Sequence, residues 1–171
     1  MKLSRWRCQD GPRWWWANLL LAELLWCYWV MGQVQGWPWW PPLLLLPLYL
    51  LLTPAPVADL RRCLWLAPLG YGIDSLWQAM GLIQFQPHGL LPPPWLAALW
   101  LVFALTLPHQ LFFLRHSSVL AQAAVGLLVP LTYCGGVALG AAALPLGPLV
   151  AYPALAAGWL LLLPLALRWR I

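Results

Sequence analysis

Two carboxyl side chains stand where carboxyls are expensive. Glu23 lies inside the apolar run from Trp14 to Met31, and Asp74 inside the run from Cys63 to Ile83. An ionisable group at the centre of a hydrocarbon layer is costly unless it is protonated, paired or facing water. The flanking arginines serve as rulers: Glu23 is ten residues beyond Arg13 and Asp74 twelve beyond Arg62, about 15 and about 18 Å along a helix. Both fall near the midplane of a bilayer. Gly70, Asp74 and Gln78 repeat every four residues and form one helical stripe. With Gly70 and Gly81 permitting close approach of a neighbour, that stripe is expected to face inward.

Other polar residues fall at comparable depths. Thr106, His109 and Gln110 share a helix face, with Pro108 loosening the hydrogen bonds around them. Thr132, Tyr133 and Cys134 interrupt another apolar run, beside Gly136 and Gly140 in a small-xxx-small pattern, and Asn18 adds a polar group to the first run. The expected polar interior is therefore Glu23, Asp74, Gln78, Thr106, His109, Gln110, Thr132 and Tyr133. Its chemistry has two readings. A protonated Asp bonded to Gln, His or Tyr can simply staple helices together. Alternatively, Asp74 and Glu23 exchange protons or meet a polar headgroup, with the imidazole of His109 as relay. Which residues would be catalytic, if any, is unknown at this stage. His116, beside Arg115, reads as interfacial and His88 as solvated or capping.

Metal and redox chemistry find little footing. Cys8, Cys27, Cys63 and Cys134 are dispersed without a CxxC pair, so four free thiols, no metal and no cofactor are expected. The patterns of nucleotide-binding loops and common hydrolases do not occur.

The elements that must carry these residues follow from composition. Of the 171 residues 63% are hydrophobic and 8% charged, which leaves too little polar surface for water to be the solvent. Asking for roughly 20 apolar residues per crossing places spans near 14–31, 37–52, 63–83, 95–114, 119–139 and 149–167. This is an all-α integral membrane bundle in one domain, 1–171. The second span holds Pro41, Pro42 and Pro47, so a five-span alternative survives. Charge favours six. Lys2, Arg5, Arg7 and Arg13, then Arg61 and Arg62, then Arg115, then Arg168 and Arg170 all fall on one side. The connections 33–36, 84–94 and 140–148 carry no charged residue. Both ends of the chain are then expected in the cytoplasm. Tryptophans such as Trp37, Trp39, Trp40 and Trp95 sit near span ends, where an indole keeps one wet edge. The first run is no secretory signal on this reading, because it holds Glu23, Trp26 and Trp29 and lacks a small-residue cleavage site. The scattered cations at the start orient the chain and do not form a nucleic-acid patch. The proline-rich stretch 84–94 is expected to run extended and cap the outer mouth. A tryptophan- and alanine-rich, lysine-poor composition hints at a bacterial source, and hence at the inner membrane.

Three stretches, GYGIDSLWQAMGLIQF, PPPWLAALWLVFALTLPHQLFFLR and GLLVPLTYCGGVALGA, resemble the bacterial membrane proteins grouped as domain of unknown function 2878. In that family an Asp stands in a G-x-x-x-D-S context, as Gly70 to Ser75 do here. A T-L-N-H-S-like stretch corresponds to Thr106 to Gln110, and a G-P-x-x-Y-x-x-G-x-x-L-G-A stretch to Val129 to Ala141. The departures are Pro108 for Asn, Gln110 for Ser and Val129 for Gly. The family has no established activity. The resemblance implies an association with envelope lipid and fatty-acid modification, with membrane lipid and a lipid-modifying enzyme as partners. Three functions stay open: an accessory to such modification, a scaffold subunit, or a small proton-coupled transporter using Asp74 and Glu23.

Overall fold

The computed structural model describes residues 12–111, 114 and 117–168. Lys2, Arg5, Arg7, Cys8, Arg115, His116 and Arg170 lie outside the described residues, and so does what was expected of them. Helices occupy each of the six apolar segments. They are α1 (Pro12–Gln35), a 3-10 turn (Pro41–Leu44) leading into α2 (Leu45–Leu52), α3 (Pro56–Ala79), α4 (Pro94–Gln110), α5 (Val119–Leu128) with α6 (Leu131–Ala138), and α7 (Pro148–Arg168). Two residue pairs add a short antiparallel ribbon, β1 (Gln84–Phe85) against β2 (Ala142–Ala143), with Gln84 opposite Ala143 and Phe85 opposite Ala142.

Proline writes much of this punctuation. Pro12, Pro41, Pro56, Pro94 and Pro148 are first residues of their helical segments. There the missing N–H is no loss and the ring presets the helical φ. The third segment accordingly starts at Pro56, seven residues before the expected Cys63. The fifth, expected as one unbroken run, divides at Val129–Pro130, because proline cannot donate into the preceding turn. Helix α3 ends at Met80 and the chain turns through Gly81 at φ 71° into β1; α6 leads through Gly140 at φ 83° toward β2. Only glycine takes that conformation without strain.

Helix α4 is the central post, with α3 and α1 packed along it, while α5 packs on α7. Indoles seated in glycine notches make the tightest joints. A Cβ on Gly70 of α3 would stand 2.2 Å from the Trp100 ring of α4, and one on Gly158 of α7 would stand 2.3 Å from Trp77 of α3. Trp100 and Trp159 stack with ring centroids 5.8 Å apart and planes within 9°, tying α4 to α7. Gly136 and Gly140, expected to form a packing edge, do not. A Cβ on Gly136 would meet nothing within 4 Å, and one on Gly140 only Val34 at 3.8 Å.

The outer faces of the helices carry leucines in the open, among them Leu51, Leu120, Leu149 and Leu161. By length and composition Val119–Ala138 and Pro148–Leu167 can each cross a membrane. Helices α1 and α3, at 24 residues each, are about 36 Å long.

Candidate functional site

Asp74 sits three-quarters of the way along α3, 1% exposed. Its carboxylate accepts from Trp100 Nε1 at 2.6 Å on one oxygen and from the Tyr133 hydroxyl at 2.9 Å on the other. The Gly70 notch is what lets α4 come close enough for Trp100 to reach it. Around the pair the aromatics interlock. Phe103 meets Trp100 and Trp159 edge to face, and Trp77 and Phe85 meet Tyr133 at 5.9 and 6.4 Å.

Beside this assembly lies a cavity of about 380 Å³. Asp74, Trp100, Phe103, Tyr133 and Trp159 line its depth, and Ile83, Phe85, Trp95, Ala141 and Ala142 line it from β1, β2 and their flanks. Further wall comes from one face of α1, Ala22, Glu23, Trp26, Trp29 and Val30, from α4, including Gln110, and from Leu131, Thr132, Gly135 and Gly136 of α6. Glu23, Leu131 and Thr132 line the cavity and are also exposed, so its mouth lies between α1 and α6. The two helices touch where Trp26 would come within 3.3 Å of a Cβ on Gly135. Trp159 Nε1 is buried and makes no well-formed hydrogen bond; the Tyr133 hydroxyl is the polar group beside it.

The extended stretch after α3 is fastened over this end of the bundle. Gln78 donates to the Gly89 carbonyl and accepts from the Phe85 amide; Trp95 Nε1 donates to the Gln86 carbonyl and the Tyr71 hydroxyl to that of Pro92. From the next connection, Trp29 Nε1 donates to the Trp39 carbonyl.

A second polar cluster occupies the other end of α3. Asp59, fully buried, accepts from the Thr53 hydroxyl at 2.5 Å and from Arg62 Nη1 at 2.8 Å, and His109 Nε2 lies 3.0 Å from both of its oxygens. Nearby, the Tyr49 hydroxyl donates to Asn18 Oδ1 at 2.8 Å, Gln110 Nε2 donates to the Asn18 carbonyl, and Trp15 Nε1 donates to that of Gln110. Side chains of α1, α2, α3 and α4 thus meet in one network. Asp59 takes no part in lining the cavity at Asp74, and three donors already crowd its two oxygens. The arrangement binds helices to one another.

The residues expected to form one polar interior are therefore divided. Asp74 and Tyr133 meet at the cavity, and Gln78 holds the loop above it. His109 and Gln110 belong to the Asp59 network, and Thr106 donates to the Val102 carbonyl of its own helix. Thr132, expected inside, is exposed and donates to the Val129 carbonyl. Glu23, also expected inside, is exposed at the cavity mouth. It lies five positions from the buried Asn18, about 140° around α1 at 3.6 residues per turn, and so cannot share the face that packs on α4. Asp59 is the residue that sequence reasoning passed over. Its place in the first turn of α3, three before Arg62, reads as an ordinary helix-start acid; only the fold brings His109 to it. Cys27, Cys63 and Cys134 are free, and no group of three potential metal ligands occurs among the described residues.

Comparison with known proteins gives one match. The family model described as "Protein of unknown function (DUF2878)" matches residues 15–165, and the chain belongs to that family. No curated protein and no solved structure matches it.

Proposed function

With membership of that family as the premise, we propose that the chain is a six-span protein of the bacterial inner membrane, both ends on the arginine side, whose central cavity binds one amphiphile admitted between α1 and α6. The cavity carries the reading. It is within the range of small-molecule sites, about 300–1,000 Å³, is walled mainly by aromatic and aliphatic side chains, and contains a buried carboxyl and an indole N–H without a well-formed hydrogen bond. Its mouth lies among exposed apolar side chains such as Leu24 and Leu131, so a molecule dissolved in a bilayer reaches it without crossing water. The N–H of Trp159, poorly aligned on the Tyr133 hydroxyl, then gains a better acceptor on the ligand.

Several features support the six-span arrangement. The uncharged connections 33–36, 84–94 and 140–148 gather at one end, through the β1–β2 pairing and the approach of Val34 to Gly140. Arg62 and the His109 end of α4 gather at the other. The sidedness follows from the positive-inside rule.

Holding a lipid-like molecule suits an accessory role in envelope lipid modification, with membrane lipid as the source and a lipid-modifying enzyme as partner. A pure scaffold has no use for the space, and a proton-coupled transporter needs a route onward from Asp74 that the cavity does not supply. The test is native mass spectrometry of the protein extracted in mild detergent, wild type against Gly136→Leu. Gly136 lines the cavity and has open space at its Cβ, so a leucine side chain there starts into the cavity unobstructed and takes up its volume. A co-purifying amphiphile present on wild type and absent from the variant is expected. Equal retention by both folded proteins would overturn the proposal.

A further inference from the structure

The charge of the ligand's polar end can be read from what the cavity wall has left to offer. Among its described lining residues are two carboxyls, Asp74 and Glu23, and no Lys, Arg or His. Most of the donors that would receive an anion are engaged elsewhere. Trp100 and Tyr133 donate to Asp74, Trp95 to the Gln86 carbonyl, Trp29 to the Trp39 carbonyl, Gln110 to the Asn18 carbonyl and Thr132 to the Val129 carbonyl. The indole N–H groups of Trp26, on α1, and Trp159, beside the Tyr133 hydroxyl, are neutral donors, suited to an ester or hydroxyl oxygen and not to a full negative charge, which when buried takes several donors and a countercharge.

The wall is rich, instead, in what attracts a cation. Trp100, Trp159, Phe103 and Tyr133 surround the space, and an aromatic face carries the negative side of the ring quadrupole. Asp74, itself in the wall, accepts the hydrogens of Trp100 and Tyr133. This occupies the indole and phenol hydrogens and adds negative potential to their rings. Each carboxylate oxygen has a further lone pair beyond the one so used. Aromatic walls with a carboxyl among them are the recognised surroundings of ammonium groups. Glu23 at the mouth would meet such a group first.

We propose that the bound amphiphile is a cation, an ammonium joined through an oxygen-bearing group to an apolar chain. The inference rests on the cavity being a binding site. Two sources supply this chemistry, the ammonium of a lipid headgroup and a free amphiphilic amine.

Calorimetric titration of the purified full chain in maltoside micelles decides it. The probes are octanoylcholine and 3,3-dimethylbutyl octanoate, which has the same shape with carbon in place of the charged nitrogen. Octanoylcholine is expected to bind at least about ten-fold more tightly, a difference of about 1.4 kcal/mol. Glu23→Gln, at an exposed position where folding is not at stake, is expected to lower that preference about three-fold. Equal affinity for the two probes would overturn the cation assignment and leave the cavity reading standing. Binding of neither to a protein that melts normally would overturn both, and tighter binding of octyl sulfate would reverse the sign of the proposal. Dioctanoylphosphatidylcholine distinguishes the sources: affinity matching octanoylcholine assigns the lipid headgroup, and failure to bind assigns the free amine.

Discussion

Helix α3 presents two buried aspartates, 15 residues or about 22 Å apart, and their surroundings give them opposite character. Asp59 is closed in by Thr53, Arg62 and His109, with a cation among its donors, and lies outside the cavity that Asp74 lines. Asp74 has two neutral donors, Trp100 and Tyr133, and a cavity alongside. What distinguishes a fastening from a site is thus the unfilled volume and unused hydrogen-bonding capacity around a carboxyl, since burial is common to both.

The comparison is broken most forcefully at Asp59. Asp59→Ala leaves Arg62 and His109 facing a void, and loss of one partner from a buried ionic cluster costs about 3–5 kcal/mol. Thermal or denaturant unfolding in detergent should show it directly. A variant that melts like wild type would mean that Asp59 does not fasten the bundle. Next is Gly70→Ala. Its Cβ would stand 2.2 Å from Trp100, and overpacking of this kind costs about 1–3 kcal/mol. Because Trp100 is also the partner of Asp74, ligand binding should fall with stability. Gly136→Leu sharpens the contrast: it should shift the melting free energy by less than about 1 kcal/mol while abolishing retention of the amphiphile. Glu23→Gln is the mildest, with unfolding unchanged and only the preference for a cationic probe reduced.

The same contrast explains what could be read from the chain beforehand. Six apolar stretches are local signals, and helices lie at each. The Gly70, Asp74 and Gln78 stripe was legible because four-residue spacing on a helix fixes a common face, and all three are buried. Glu23 lines the cavity at its exposed mouth and not in its depth, and α1 is apolar nearly all round, so no stripe marks the face that packs on α4. The Asp59–His109 contact joins residues 50 positions apart, and β2 is a pair of alanines; neither has a signature in the sequence. The cavity itself arises from a seam between α1 and α6, helices that are remote in sequence.

The central claim, that a membrane amphiphile occupies the space beside Asp74, is tested most directly by photo-crosslinking. An octanoyl amphiphile carrying a diazirine on its chain would be irradiated with the protein in lipid nanodiscs and the adducts mapped by peptide mass spectrometry. Adducts on cavity residues such as Phe103 and Tyr133, suppressed by Gly136→Leu, are the predicted result. Adducts confined to outward-facing leucines such as Leu51, Leu149 and Leu161, unchanged in the variant, would contradict it.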